Sequence, residues 1–179
     1  LAQFTDEVIK RMKVLVKMAE DGGIVCVHEN CNNWGGLSMD NTLKLLDAIQ
    51  SPAFKLVFDT GNPVFTKDHS LKNPTTMQSA WSFYDKVKEH VVYIHIKDGK
   101  MVDGKMKFSF PAEGDGDVRK ILIDAFNRGY DGGISIEPHM VSVFHEPDEA
   151  KKAAALYDNY VEYGQRTMKI VNDIKAFIK

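Results

Sequence analysis

The chain has 179 residues, 44% of them hydrophobic, enough for one domain with a buried core. Its formal net charge of −2 excludes the broad basic field that non-specific nucleic-acid binding requires. Its apolar runs fall far short of the roughly 20 residues of a membrane span, and two cysteines, Cys26 and Cys31, make no disulfide framework.

The opening LAQFTDEVIKRMK reads as helix, not as the apolar core of a signal peptide. Helical spacing runs from about Thr5 to Glu20. Val8, Met12, Leu15 and Met18 or Ala19 form its stripe, Thr5 or Asp6 its cap, and Asp21-Gly22-Gly23 its stop. Ile24 to Glu29 is a short β-branched run with the character of a strand buried on both faces. Asn41 to Ile49 is helical, Pro52 breaks it, and Phe54 to Asp59 is the second strand. Thr75 to His90 is helical, with Trp81, Tyr84 and Val87 facing the core, and Val91 to Ile96 is the third strand. Asp117 to Asn127 is helical, Gly129 ends it, and Gly133 to Glu137 is the fourth strand. A long helix from about Glu149 to Phe177 follows, with Gly164 as a candidate break.

Strands alternating with helices imply βαβ units and a parallel sheet. The aperiodic segments, roughly 30–40, 61–74, 98–116 and 139–148, all follow strands, and the return links are short. A (β/α)₈ barrel with its site at the C-terminal rim has that asymmetry. A doubly wound sheet also binds ligands there.

Each strand ends in a residue able to bind a divalent metal: Glu29, Asp59, His95 and Glu137. Parallel strands bring such ends to one rim. Three carboxylates and an imidazole suit one Mn²⁺, Mg²⁺, Co²⁺ or Zn²⁺ ion and need no thiolate. Alternation puts Val25, Val27 and Glu29 on one side of their strand, and Lys55, Val57 and Asp59 on one side of theirs. Tyr93, His95 and Lys97 share a side too, so the Lys97 ammonium is expected near the anionic ligands or a substrate oxygen. Taken singly, an acid after a strand is usually a helix cap or a solvated loop residue. Four in phase at consecutive strand ends carry the assignment.

The motifs HEN at 28–30, DTGN at 59–62, HIKD at 95–98 and SIEPH at 135–139 resemble the strand-end motifs of the xylose isomerase-like barrel superfamily. PAEGDGD at 111–117 is similar to the Gly-rich loop of its sugar phosphate isomerase/epimerase family. The resemblance implies a (β/α)₈ TIM barrel of which this chain covers roughly the last four βα units. It also implies one divalent ion at the four positions above. Glu29 and Glu137 would then be the acid/base pair, exchanging a proton through an enediolate, with Asp59 and His95 as ligands alone. Family members often carry His three residues after the strand Asp, where this chain has Asn62; Asn can bind a hydroxyl but cannot shuttle protons near neutral pH.

A complete barrel takes about 250 residues. Residues 1–179 are therefore expected to be one domain, the C-terminal part of a TIM barrel. Upstream sequence, a second copy or another chain would complete it, and the resemblance favours upstream sequence. The expected function is metal-dependent isomerisation or epimerisation of a keto sugar, inosose or related polyol. A dehydratase on a similar substrate is the neighbouring alternative, and a DNA-repair endonuclease or a non-catalytic binding protein stands further off. Cytoplasmic location is the default, with no nucleic-acid or membrane partner and a homo-oligomer left open.

Candidate substrate contacts are Asn62, Lys97, His139, Glu113 in the Gly-rich loop, and Trp34 through sugar stacking; loop capping by His139 and loop support by Glu113 weigh equally with contact, and for Trp34 loop anchoring weighs slightly more. His28 points away from Glu29 and is expected to be buried. Asp98 either orients Lys97 or caps a turn. The run Lys97, Lys100, Lys105 and Lys107 reads as a solvated loop face, with a phosphate or carboxylate clamp as the lesser reading.

Overall fold

The structure, a computed structural model, describes residues 4–140 and 149–178. Its elements are α1 (Thr5–Asp21), β1 (Cys26–Glu29), α2 (Met39–Ile49), β2 (Phe54–Asp59), α3 (Asn62–Phe65) and α4 (Ala80–Val87). A 3₁₀ turn (Lys88–His90) leads on to β3 (Val91–Ile96), the hairpin β4 (Gly99–Val102) and β5 (Lys105–Phe108), α5 (Val118–Asn127), β6 (Gly133–Ile136) and α6 (Glu149–Phe177). Strands β1, β2, β3 and β6 form one sheet in that order, and every pairing in it is parallel.

Period-two alternation divides the sheet into two faces. Leu56, Phe58, Ile94 and Ile96 point into a core shared with Phe83, Tyr84 and Val87 of α4, Ile121 and Leu122 of α5, and Tyr163, Ile170 and Ile174 of α6. Phe58 stands edge-on to Phe83 and Tyr84, with ring centroids 5.7 and 5.5 Å away. Phe58→Ala should cost about 3–5 kcal/mol, the usual cost of an aromatic cavity in a core. Urea unfolding would report it as a lower midpoint with an unchanged slope.

The opposite face carries the strand-end polar residues, and a bulge aligns them. Leu56 pairs with Val91, but Val57 pairs with Tyr93, so the ladder skips Val92 and brings Asp59 level with His95. Glu29 is level with Val57, hence with Tyr93 and Gly133, which sets Glu137 four residues further along its own strand. That diagonal is what a barrel requires, because tilted, sheared strands reach the rim at successively later residues.

Several expectations need correction. The N-cap of α1 is Phe4, without a side-chain cap bond, and Thr5 and Asp6 already lie in the first turn. Leu15 and Met18 are exposed, while Val16 and Ala19 are buried; the packed stripe is Val8, Met12, Val16 and Ala19. Strand β1 is not buried on both faces. Val27, on the side of Glu29, is 45% exposed, because among the described residues no element covers that face. Helix α4 starts at Ala80 rather than Thr75. The Ser79 hydroxyl caps it by accepting from Ser82 N, and Thr76 and Gln78 instead exchange backbone hydrogen bonds with Asp68 and Thr66. Gly164 does not break α6, which is continuous. A single glycine costs only about 1 kcal/mol, and buried Tyr163, Thr167 and Ile170 hold the helix around it. Segments 61–74 and 98–116 are not structureless, since they contain α3 and the β4–β5 hairpin. Of segment 139–148, residues 141–148 lie outside the described residues. No helix among the described residues is long and apolar enough to cross a membrane.

Candidate metal centre and adjoining cavity

Four strand ends converge at the rim. One potential ligand atom from each of Glu29, Asp59, His95 and Glu137 lies within 4.8 Å of all the others. His95 Nδ1 stands between the two glutamates, 3.2 Å from Glu29 Oε1 and 2.8 Å from Glu137 Oε1. The Lys97 ammonium bridges Asp59 Oδ2 at 2.9 Å and Glu137 Oε2 at 2.8 Å. Lys97 is therefore buried, which separates it from the solvated face read for Lys100, Lys105 and Lys107.

Asp59 is the most enclosed of the set. Its Oδ1 accepts from Gly61 N at 2.8 Å and Asn62 N at 2.7 Å, the first turn of α3. Among the described residues its buried Oδ2 accepts no hydrogen bond of good geometry, and only the Lys97 ammonium stands beside it. A buried carboxylate oxygen left in this way is costly unless a cation faces it. The donor set has that character: three carboxylates against one ammonium leave a formal −2, the complement of a divalent ion, and the ligand types are hard oxygens plus one imidazole. The residues present fit a divalent metal.

The ionisation pattern follows from the contacts. The hydrogen bond to Glu29, with the charge of Glu137, raises the His95 pKa above its ordinary value. The same bond holds Glu29 below the usual carboxylate range. Burial pushes the Asp59 carboxyl up. Burial also works against the Lys97 ammonium, but Asp59 and Glu137 outweigh it and its pKa rises.

Residues behind these groups fix them. The buried Asn30 amide clasps the end of β2, donating to Asp59 O at 3.0 Å and accepting from Asp59 N at 2.7 Å. Thr60 Oγ1 donates to Lys97 O at 2.6 Å and accepts from Lys97 N at 3.2 Å, tying β2 to β3. Asp98 does not orient Lys97. Its carboxylate accepts from the backbone N–H of Gly99, Gly114 and Gly116, anchoring the Gly-rich loop beside the hairpin. A Cβ on Gly114 would collide with that carboxylate and with the Gly99 backbone. Asn30 and Thr60 each follow a strand-end ligand directly and lie within the HEN and DTGN motifs, which is the sequence signal that marks them; spacing alone gives neither of them this clasping role.

A cavity of about 360 Å³ opens beside the cluster, lined by Asn62, Lys97 and His139 together with Asn32, Phe65, Thr66, Lys67, His69, Met106 and Phe108. Asn62 Nδ2 donates to Glu29 Oε1 at 3.3 Å. His139 stacks on Phe108 at 5.2 Å and bonds through Nδ1 to Glu137 O. Two candidates lie elsewhere. Trp34 packs against the cluster of Val16, Leu45 and Phe54, and Glu113 is paired with Arg166 at 2.7 Å. His28 is largely enclosed beside Phe54, with its Nε2 unpartnered and its pKa lowered by burial.

A parallel sheet with helices on one face and carboxylates at its C-terminal ends is a segment of a (β/α)₈ barrel. The chain belongs to the xylose isomerase-like TIM barrel family, whose sequence profile matches residues 2–160. Among solved structures it is similar to a xylose isomerase domain protein from Planctomyces limnophilus (18% identity, TM-score 0.68, covering 97% of this chain and 54% of that one). A D-tagatose 3-epimerase-like protein matches at 19% identity and TM-score 0.68, over 98% of this chain and 57% of that one. A xylose isomerase-like TIM barrel protein from Mycobacterium smegmatis, solved in complex with magnesium, matches at 18% identity and TM-score 0.70, over 96% of this chain and 52% of that one. The chain thus spans about half the length of the solved structures it matches. No protein of curated function matches it by sequence.

Proposed function

We propose that this chain carries the active site of a one-metal sugar isomerase or epimerase. We further propose that its four βα units are the C-terminal half of an eight-unit barrel. The observation that carries the first reading is the convergence of Glu29, Asp59, His95 and Glu137 within 4.8 Å, with the two glutamates on the outer strands, β1 and β6, and the other two ligands on the strands between them.

That order supports a division of roles. A divalent ion held by these residues would stabilise negative charge developing on a substrate carbonyl oxygen. The proton α to that carbonyl is only weakly acidic, so a carboxylate must meet it directly. Glu29 and Glu137, on the two outer strands and on the same face of the sheet, would meet the reacting carbons from the two ends of the ligand row. One removes the proton and the other returns it, which inverts a centre or moves the carbonyl. Asp59 is buried behind them and its Oδ1 is committed to the α3 backbone, so it serves as a ligand only. Asn62 and His139 face the same cavity, where they can bind substrate hydroxyls. Magnesium in one structural neighbour supports a hard divalent ion.

The test combines metal content with exchange of carbon-bound hydrogen. About one divalent ion per chain is expected by mass spectrometry. Ketohexoses or inososes incubated with the protein in D₂O should gain deuterium at the α carbon, read by NMR. Exchange followed by loss of water would favour the dehydratase reading, which shares this first step. The absence of both bound metal and exchange, even after added Mn²⁺, would sink the assignment.

A further inference from the structure

The cavity beside the cluster differs in charge from the cluster itself. Among the described residues that line it there are two lysines and two histidines and no carboxylate. In a chain of net charge −2, this is a local reversal of sign. Lys97 and His139 stand at the metal end. Lys67 and His69 stand on the segment that follows α3.

That segment is a fixed platform. Lys67 forms an antiparallel bridge with Met77. Gln78 N donates to Thr66 O, Asp68 N to Thr76 O, and His69 N to Leu37 O. Lys67 and His69 both line the cavity. The carboxylate between them is occupied locally, since Asp68 Oδ1 accepts from Ser70 N at 3.0 Å and Ser70 Oγ at 2.6 Å. In the same lining, Phe65 and Phe108 meet edge-on at 5.0 Å and Phe108 stacks on His139, an apolar wall of the kind that packs against a sugar face. Lys100, Lys105 and Lys107 are exposed on the hairpin that carries Phe108 and add a longer-range positive field around it.

We infer that the substrate carries an anionic group, a phosphate or a carboxylate, on the carbon skeleton remote from the reacting carbonyl, and that Lys67 and His69 bind it. This inference rests on the isomerase reading above and narrows its substrate class from neutral ketoses and polyols to sugar phosphates or sugar acids. The carbonyl end meets the metal cluster, the ring or chain lies along Phe65 and Phe108, and the anion reaches the cationic platform.

Titration calorimetry on the Mn²⁺-loaded protein tests it with three probes: D-fructose, D-fructose 6-phosphate and 5-keto-D-gluconate. One or both anionic probes should bind about tenfold or more tightly than D-fructose, the effect of one charge-assisted hydrogen bond. Whichever anionic probe binds tighter identifies phosphate or carboxylate as the group selected. In a Lys67→Gln, His69→Gln double variant that preference should fall to about threefold or less, because Lys97 is held by Asp59 and Glu137 and only the longer-range field of the other cationic side chains remains. Equal binding of all three probes, no measurable binding of any, or a preference that survives the double substitution overturns the inference. Deuterium exchange on the same samples keeps the two readings apart. Exchange without anion preference leaves an isomerase and removes the anion site, whereas anion-selective binding without exchange removes the isomerase.

Discussion

Replacing Glu137 with glutamine should lower kcat by about 10²–10⁴-fold, the loss typical of a positioned acid or base. The side chain keeps its length and one carbonyl oxygen, but it can no longer take a proton. It also supplies weaker donor density to a cation and loses its ion pairs with Lys97 and His95. The fold should survive, because Lys97 retains Asp59 at 2.9 Å and His95 retains Glu29 at 3.2 Å. The discriminating measurement is α-hydrogen exchange at saturating Mn²⁺, with calorimetry of metal binding alongside. Exchange lost while the metal still binds would put Glu137 in the proton transfer itself. Exchange recovered at high metal concentration would reduce it to a ligand. Full exchange under all conditions would remove it from the site. Glu29→Gln should behave similarly, and the two substitutions together should cost far less than the sum of their separate effects, since residues that act as a unit are not additive.

How far the sequence reveals this arrangement depends on what each element presents to its neighbours. Strands β2 and β3 have the bounds the sequence suggests, Phe54–Asp59 and Val91–Ile96, because an uninterrupted apolar run closing on a polar residue is a strong signal. The residues that end the strands are legible for the same reason. The bulge at Val92 is not, since three β-branched or aromatic residues in a row give no sign of which one will be skipped. Without it Asp59 would face Ile94 rather than His95. The β4–β5 hairpin does announce its turn: Asp103 and Gly104 both have positive φ, 49° and 73°, as a two-residue Asp-Gly connection demands. Its strands hide because Lys100, Lys105 and Lys107 interrupt the apolar alternation and only Met106 and Phe108 face the cavity. Trp34 and Glu113 belong to loops, where sequence spacing says nothing of direction. One packs under its own loop, and the other turns to Arg166 on α6.

Lys97→Met should destabilise the metal-free protein by about 3–5 kcal/mol, the cost of removing one partner from a buried ion pair. The substitution keeps an unbranched side chain of comparable reach and deletes only the charge. Asp59 is fully buried, and among the described residues its Oδ2 faces no donor other than the ammonium. The negative charge of Glu137 nearby makes matters worse, so the Asp59 carboxyl, already raised by burial, would be driven further toward its neutral form. A divalent ion in the same ligand set would replace the missing positive charge. Saturating Mn²⁺ should therefore recover a large part of the loss, about 2.7 kcal/mol at a hundredfold excess over Kd by mass action, and more for the variant than for the parent. The parent already has a cation between Asp59 and Glu137 and must displace or share it to bind metal. Chemical unfolding of both proteins in EDTA and in Mn²⁺ gives four stabilities, and the coupling between substitution and metal is the quantity to read. A coupling near zero would mean that the metal and the Lys97 ammonium do not compete for the same carboxylate oxygens, and the site would have to be redrawn with Lys97 outside it. A coupling of 1 kcal/mol or more, on the scale seen for residues that share partners, would mean that Lys97 sets the charge the cluster presents to an incoming ion, holding three carboxylates together until the ion arrives.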